Sequence, residues 1–167
     1  AGFAVVKDPR IKTSQKAFDQ QLALLKHLYD RFSSLNEAVN RIRLLKRQLR
    51  DVDKRLGDGD KALRDRATAL LTRLESIEGV MVDIRRESPR DVLRNPAGLN
   101  DTLVDLISVV AIADEAPTSQ ARQVCEEIMA RVDSEVSALD AGVAVEVSSL
   151  NGALRVAGLE LLGGPRA

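Results

Sequence analysis

Aromatic residues, cysteine and long apolar runs are all scarce in this chain of 167 residues, and each shortage excludes a class of protein. Aromatics make up 2% of the sequence and tryptophan is absent. The core must therefore consist of Leu, Val, Ile and Ala, as in helical bundles rather than β-sandwiches. A single cysteine, Cys125, excludes an intrachain disulfide and metal sites built from several cysteines. No apolar run reaches the roughly 18 residues that a membrane-spanning helix needs.

The usual catalytic groups are scarce as well. His27 is the only histidine, and its place on the flank of the apolar stripe does not favour a role in a Ser-His-Asp or Cys-His arrangement. No glycine-rich phosphate-binding loop is present. Cys125 falls on an apolar helix face, where it is interpreted as a small hydrophobic residue. We therefore expect a protein that is not an enzyme and that has no metal or cofactor.

Long helical periodicity is what the sequence does contain. From Thr13 onward, apolar residues recur with a mean spacing of about 3.5, which is typical of helices packed at a shallow angle. Thr13 or Ser14 can cap the start of this first helix, and Gly57 ends it about 65 Å further on. Leu24 and Leu28 widen its apolar stripe. The stripe itself comprises Phe18, Leu22, Leu25, Tyr29, Phe32, Leu35, Val39, Ile42, Leu45, Leu49, Val52 and Leu56.

Two shorter helices are predicted next. The second runs from Asp60 to Arg85 on an unbroken heptad of Leu63, Ala67, Leu70, Leu74, Ile77, Met81 and Ile84. We expect Leu74 and Ile77 to lie in the core, and Arg73 to contribute little to stability. The third helix has one apolar face, formed by Leu99, Leu103, Leu106, Val110 and Ala113.

The last segment admits two structures. Thr118 caps a helix whose face carries Cys125, Ile128, Val132, Val136 and Leu139. Beyond Gly142, alternating valines and the pair Asn151-Gly152 are typical of a β-hairpin over 143–162. The same residues also keep helical spacing, and a helix over 118–162 would match the first in length. We therefore predict an all-α antiparallel bundle of three long rods with a broken middle rod, and a four-helix up-down bundle is the alternative.

The first residues follow a different pattern. Residues 3–6 alternate like the end of a β-strand, and Pro9 then interrupts it because proline lacks the N–H that a ladder needs. We interpret 1–10 as the end of a preceding β domain or a linker, and 11–167 as the helical bundle domain. An unpaired strand is a template for association, so we expect it to fold back onto the bundle or to pair with a second copy.

Charge is balanced overall but divided along the chain. Residues 1–94 carry a net charge of +7 and residues 95–167 a net charge of −7. The densest basic face belongs to the first helix and comprises Arg41, Arg43, Lys46, Arg47, Arg50, Lys54 and Arg55. Such a face could follow a phosphate backbone, but no aromatic residue interleaves it to stack on bases. We favour neutralisation by the last helix, which carries Glu126, Glu127, Asp133, Glu135, Asp140 and Glu146.

Several short motifs resemble one family. The string Phe3-x-Val5-x-x-Asp8-Pro9-Arg10 before a long helix resembles the C-terminal region of bacterial sortilin-like propeller proteins, often labelled glycosyl hydrolases with BNR (Asp-box) repeats. Further matches are Gln21 after Phe18, Asn36-Glu37-Ala38-Val39 before Ile42-Arg43, Pro96-x-x-Leu99, Pro117-Thr118 and Leu150-Asn151. The resemblance implies that a β-propeller and a β-sandwich-like domain come first and that a helical region closes the chain. It also implies export from a bacterial cell, and that sugar or peptide binding belongs to the propeller.

These observations favour an interaction or structural module that contacts its own propeller, another protein or a second copy of itself. The alternative is a binder of nucleic acid or of an anionic surface through the basic face. A small apolar ligand bound between helices is a third, weaker hypothesis.

Overall fold

The fold consists of a series of helices. A computed structural model describes residues 2–4, 6–57, 60–85, 96–159 and 162–163. Its helices are α1 (Gln15–Arg55), α2 (Lys61–Met81), α3 (Leu99–Ala111), α4 (Ser119–Ala138), a π-helical turn (Leu139–Val143) and α5 (Ala144–Val156). No β-strand occurs within the described ranges. The expected all-α helical bundle is confirmed.

The α1 helix begins where the sequence predicts. Ser14 is its N-cap, with an extended backbone and a side-chain oxygen that accepts a hydrogen bond from the Ala17 N–H at 3.2 Å. This bond satisfies one of the N–H groups that a helix start leaves without an intrahelical partner. The helix then runs for 41 residues to Arg55 without a break.

The predicted phase of α1 is wrong near its N-terminus. Leu22 and Tyr29, which the stripe placed in the core, are 52% and 54% exposed, whereas Leu24 and Leu28 are buried. The buried row passes through Gln21, a polar residue that the apolar pattern did not include. Its amide donates to the carbonyls of Val110 at 2.7 Å and Ala113 at 2.5 Å. Gln21 can be buried because it satisfies carbonyls at the C-terminal end of α3, which lack intrahelical donors.

The α2 and α3 helices form one broken rod antiparallel to α1. Near the start of α2, Arg64 reaches Asp53 at 3.0 Å. Further along, the Asn100 amide in α3 donates to the Asn36 side chain at 3.1 Å, and Gln21 lies at the end of α3. As residue numbers rise along α2 and α3, the residue numbers of their contact partners on α1 fall, which is the order expected of antiparallel helices. The predicted broken middle rod is present, and the four-helix up-down alternative is not.

The α4 helix, the π-turn and α5 make a continuous third rod parallel to α1. Its partners on α1 rise in number along the rod, in the pairs Arg122–Gln20 at 3.3 Å, Asp133–Arg31 at 3.1 Å and Asp140–Arg41 at 2.6 Å. The described part of 143–162 is helical as far as Val156, so the β-hairpin alternative is wrong.

The last helix ends six residues before the predicted position 162, at Val156. Gly158 has a φ of 69°, the left-handed conformation that favours glycine. The N–H groups of Gly158 and Leu159 then bond to the carbonyls of Arg155 and Leu154, which is the Schellman pattern of a helix end.

The α2 helix also ends earlier than predicted, at Met81 rather than Arg85. Val82 takes an extended backbone conformation, and Gly98, the N-cap of α3, lies directly against it. A Cβ on Gly98 would lie 2.8 Å from the Val82 Cα, so a larger residue would force the two helix ends apart. Ile84, the last residue of the predicted heptad, lies outside the helix and is 52% exposed.

The N-terminal segment forms no strand in residues 2–4 and 6, and Phe3 is 90% exposed. It therefore does not fold back onto the bundle as one expectation had it. In the described residues after it, the Lys7 ammonium lies 5.8 Å from the centre of the Phe18 ring of α1, and the Thr13 hydroxyl donates to the Asp114 carbonyl.

One apolar core joins the three rods. Leu74 is fully buried as predicted, but Ile77 is only partly buried. The position beside Ile77 that points inward is Glu78, which is 3% exposed. The other heptad members Leu63, Ala67, Leu70 and Met81 are buried.

We predict that Leu74→Ala lowers the free energy of unfolding by about 2–5 kcal/mol, because it leaves a cavity where the rods meet. The matched control is Leu22→Ala, which should cost less than about 1 kcal/mol because Leu22 is half exposed. Urea unfolding followed by circular dichroism measures both. Equal losses at the two positions would contradict the burial of α1 and α2 described here.

Candidate functional site

Most of the predicted basic face is engaged in ion pairs with carboxylates of the same chain. Lys46 and Arg43 approach Glu78 at 2.9 and 2.7 Å, and Arg50 approaches Glu75 at 3.2 Å. Lys46 also lies 3.5 Å from Glu75. We call these five residues the Glu78 cluster. It joins α1 to α2, and Glu78 is its buried centre.

The other basic residues differ in their surroundings. Arg41 pairs with Asp140 at 2.6 Å, and Lys54 lies 3.4 Å from Asp51 in an exposed pair one turn apart. Arg55 also interacts within the chain. Arg47 is exposed and has no ion pair among the described residues. Most of the seven basic residues therefore already interact within the chain and are not free to bind an anionic partner.

The source of the neutralising charge differs from the prediction. Of the six acidic residues named on the last helix, only Asp133 and Asp140 reach α1 in ion pairs within the described structure. Glu146 turns the other way and pairs with Arg73 of α2. The strongest neutralisation comes instead from Glu75 and Glu78. The sequence shows that Glu75 and Glu78 lie about one turn apart on α2. It does not show which side of α2 faces α1.

The environment of Glu78 shifts its pKa in two opposing ways. Burial raises the pKa of this carboxyl, whereas the hydrogen bonds and positive charges of Arg43 and Lys46 lower it. The net direction is downward from the ordinary value of 4.5. Glu78 is therefore held as a carboxylate at neutral pH, and Lys46, which is 12% exposed, keeps a counter-charge.

An exposed apolar strip follows the boundary between α1 and α3. The Asn36–Asn100 hydrogen bond marks one end of it. From there, helical spacing on the two antiparallel helices places side chains three or four residues apart along the same boundary. We call this set the α1–α3 seam; it comprises Phe32, Tyr29, Leu25 and Leu22 of α1 and Val104, Ile107 and Ala111 of α3. Leu22, Tyr29 and Val104 are 52%, 54% and 44% exposed.

Two more apolar side chains are exposed on or next to α3. Val109 is 58% exposed, and Ile112, just after the end of the helix, is 86% exposed. The side of α3 that faces away from the core is otherwise polar, because Asp101, Asp105 and Ser108 lie there. The continuous apolar surface of this region is therefore the α1–α3 seam.

A groove of about 540 Å³ lies between α1 and the third rod. We call it the α1–α5 groove. Its apolar walls include Leu44 and Leu45 of α1 and Val143 and Val147 of the third rod, and the pair Arg41–Asp140 crosses it. Ser148, Asn151 and Arg155 contribute polar atoms from α5.

Asn151 closes one end of this groove. Its side-chain amide donates to the Leu162 carbonyl at 2.8 Å and its oxygen accepts from the Leu162 N–H at 2.7 Å. Leu162 is thereby buried against the groove. In the sequence, Asn151 suggested a hairpin turn. In the structure, its side chain instead acts as a clamp that holds the Leu162 backbone against α5 by these two hydrogen bonds.

The π-turn is packed against α2 on another side. A Cβ on Gly142 would lie 2.2 Å from the Arg73 Nη2, so glycine leaves room for the guanidinium. Arg73 also pairs with Glu146. We expected Arg73 to contribute little to stability. In the structure, however, it links α2 to the third rod through Glu146 and the π-turn.

The remaining candidate groups are isolated. Cys125 is buried, and burial together with the nearby Glu126 charge raises the pKa of its thiol, which disfavours the reactive thiolate. His27 is exposed on α1. In the described ranges, no three residues of the types His, Cys, Asp and Glu are grouped so that they could hold a metal ion. No described helix has the length and apolarity needed to cross a membrane.

Comparison with known proteins gives no relative. No family model, no curated protein and no solved structure matches this chain.

We predict that acid destabilises the bundle through Glu78. Because the folded-state pKa is depressed, its contribution is complete above the unfolded value of 4.5 and is lost as pH falls through the lower folded value. Glu78→Gln should cost about 2–4 kcal/mol at pH 7, because it leaves Lys46 buried with a weaker partner, and should flatten the stability profile below about pH 5.

The control is Glu75→Gln, which removes a half-exposed carboxylate and should cost less than about 1 kcal/mol. Urea unfolding at several pH values between 3 and 7 measures both variants. A Glu78→Gln profile parallel to that of the unmodified chain would show that another carboxylate causes the acid sensitivity.

Proposed function

We propose that this chain is a non-catalytic helical module that works by contact with protein. The observation that carries the proposal is the α1–α3 seam. Apolar side chains on two neighbouring helices form one strip here, and such strips mark interaction surfaces in soluble proteins. Burial of this strip against a partner would remove it from water, which is the main driving force of protein association.

The resemblance to sortilin-like propeller proteins suggests the partner. We propose that the module belongs to the C-terminal part of an exported protein of that kind and contacts its own propeller. Support comes from Asp8-Pro9-Arg10 standing before a long helix, and from Leu150-Asn151 lying inside the final helix as the family pattern requires. A second copy of the chain is the other partner that the same strip would suit.

Nucleic-acid binding through the basic face is the less favoured alternative. Phosphate contacts need cations that can release counterions on binding. Within the described structure, Arg43, Lys46 and Arg50 already face glutamates, so phosphate would have to compete with them. Arg47 alone of the seven lacks an interaction among the described residues.

We predict that a charge within the seam weakens protein contact. Tyr29→Lys or Val104→Lys should lower affinity about tenfold or more, because binding would bury an unpaired ammonium group. Val145→Lys is the matched control, since Val145 is 69% exposed on α5, away from the seam. Calorimetric titration with the protein region encoded upstream of Ala1 tests contact with a propeller. Sedimentation of the chain alone tests contact with a second copy.

Contact with neither partner, or equal effects of all three lysines, would contradict the proposal. The upstream coding sequence also tests the resemblance directly, because Asp-box repeats there support it and their absence overturns it.

A duplex oligonucleotide should bind the chain no better than nonspecifically, and only at low salt. Fluorescence anisotropy at about 50 and 200 mM salt measures this, and Arg47→Gln should make little difference. Tight binding that falls by orders of magnitude with salt and depends on Arg43 and Arg50 would instead establish the nucleic-acid alternative.

A further inference from the structure

The α1–α5 groove has the size and lining of a small-molecule site. Its volume of about 540 Å³ falls within the roughly 300–1,000 Å³ that ligand pockets occupy. Leu44, Leu45 and Val147 line the groove and are partly buried, so a part of their aliphatic surface remains open to it. No aromatic side chain lines it, which disfavours stacked rings and favours aliphatic chains.

The charges of the groove do not cancel. Arg41 is neutralised by Asp140 at 2.6 Å. Arg155, one turn beyond Asn151 on α5, has no ion pair among the described residues. Ser148, on the same helix, lines the groove with a hydroxyl. Within the described part of the chain, Arg155 is thus a cation of the groove without a paired carboxylate, and it lies beside an apolar floor.

The groove is also held in shape by contacts at its edges. The Asn151 clamp keeps Leu162 at one end. On another side, Arg73 packs over Gly142 of the π-turn, and turns of this kind frequently occur at functional sites. These contacts join the groove walls to two further elements, so the cleft exists before any ligand enters.

We propose that the α1–α5 groove binds an amphiphile with an aliphatic chain and a single anionic head group. The chain lies on Leu44, Leu45 and Val147, and the carboxylate or phosphate of the head accepts hydrogen bonds from Arg155. This inference is independent of the α1–α3 seam, which lies on another side of α1.

The test uses decanoate as the probe and 1-decanol as its uncharged counterpart, followed by backbone amide shifts in NMR spectra of the full chain. Saturable shifts should centre on Leu44, Val143 and Val147. Affinity should rise about two- to fourfold per methylene from octanoate to decanoate, because each added group leaves water. Shifts spread equally over the α1–α3 seam, or no shifts, would overturn the proposal.

Variants separate the head group from the chain. Arg155→Gln should weaken decanoate about three- to tenfold and leave 1-decanol unchanged, since it removes a charge-assisted hydrogen bond at an exposed site. Arg131→Gln is the matched control, an exposed arginine of α4 that does not line the groove. Ala144→Phe should block both probes, because Ala144 is an exposed lining residue, and circular dichroism verifies its fold. An unchanged decanoate affinity in Arg155→Gln overturns the assignment.

Vesicles distinguish the two sources of such an amphiphile. Sedimentation with phosphatidylglycerol vesicles but not phosphatidylcholine vesicles, lost in Arg155→Gln, identifies a membrane lipid. Decanoate binding without vesicle binding identifies a free molecule. Failure of both overturns the proposal.

Discussion

The continuity of α1 is the constraint on which the rest of the bundle depends. This helix has 41 residues, whereas α2 has 21 and α3 has 13, so the two must lie end to end to cover its length. Its fully buried residues Leu28, Leu35 and Ile42 need a partner at every turn to stay out of water. The chain meets this need by stopping α2 at Met81 and restarting at Leu99.

Polar contacts from α1 hold the two shorter helices near their ends. Gln21 bonds to carbonyls at the C-terminal end of α3, and Asn36 pairs with Asn100 near its start. Glu78, close to the end of α2, is held by Arg43 and Lys46. A buried ion pair is weak evidence for added stability, because desolvation offsets much of the attraction. Its clearer effect here is on register, since sliding α2 along α1 would leave a buried carboxylate without its cations.

Charge and surface therefore have different roles in this molecule. The basic residues of α1 mostly hold neighbouring rods in place, while the exposed side chains best suited to contact are the apolar ones of the α1–α3 seam. The α1–α5 groove lies on another side of α1, where Arg155 adds a charge that no described residue balances. A net count of arginines and lysines along α1 overstates the positive charge that a partner would meet.

The sequence by itself determined the helical class, a cap at Thr13 or Ser14, the break between α2 and α3, and the burial of Leu74, because periodicity and capping are local properties. It also favoured helix over hairpin at 143–162, and the structure is helical there as far as Val156. Tertiary structure decided what depends on which faces meet: Gln21 rather than Leu22 points inward, Glu78 rather than Ile77 is fully buried, and Arg43 and Lys46 pair with α2 rather than with the last helix. Asn151 illustrates the same limit, since its amide suits a turn or a clamp equally, and only the return of the chain to Leu162 selects between them. A polar side chain is buried when a distant partner satisfies its hydrogen bonds, and that partner cannot be identified from spacing along one helix.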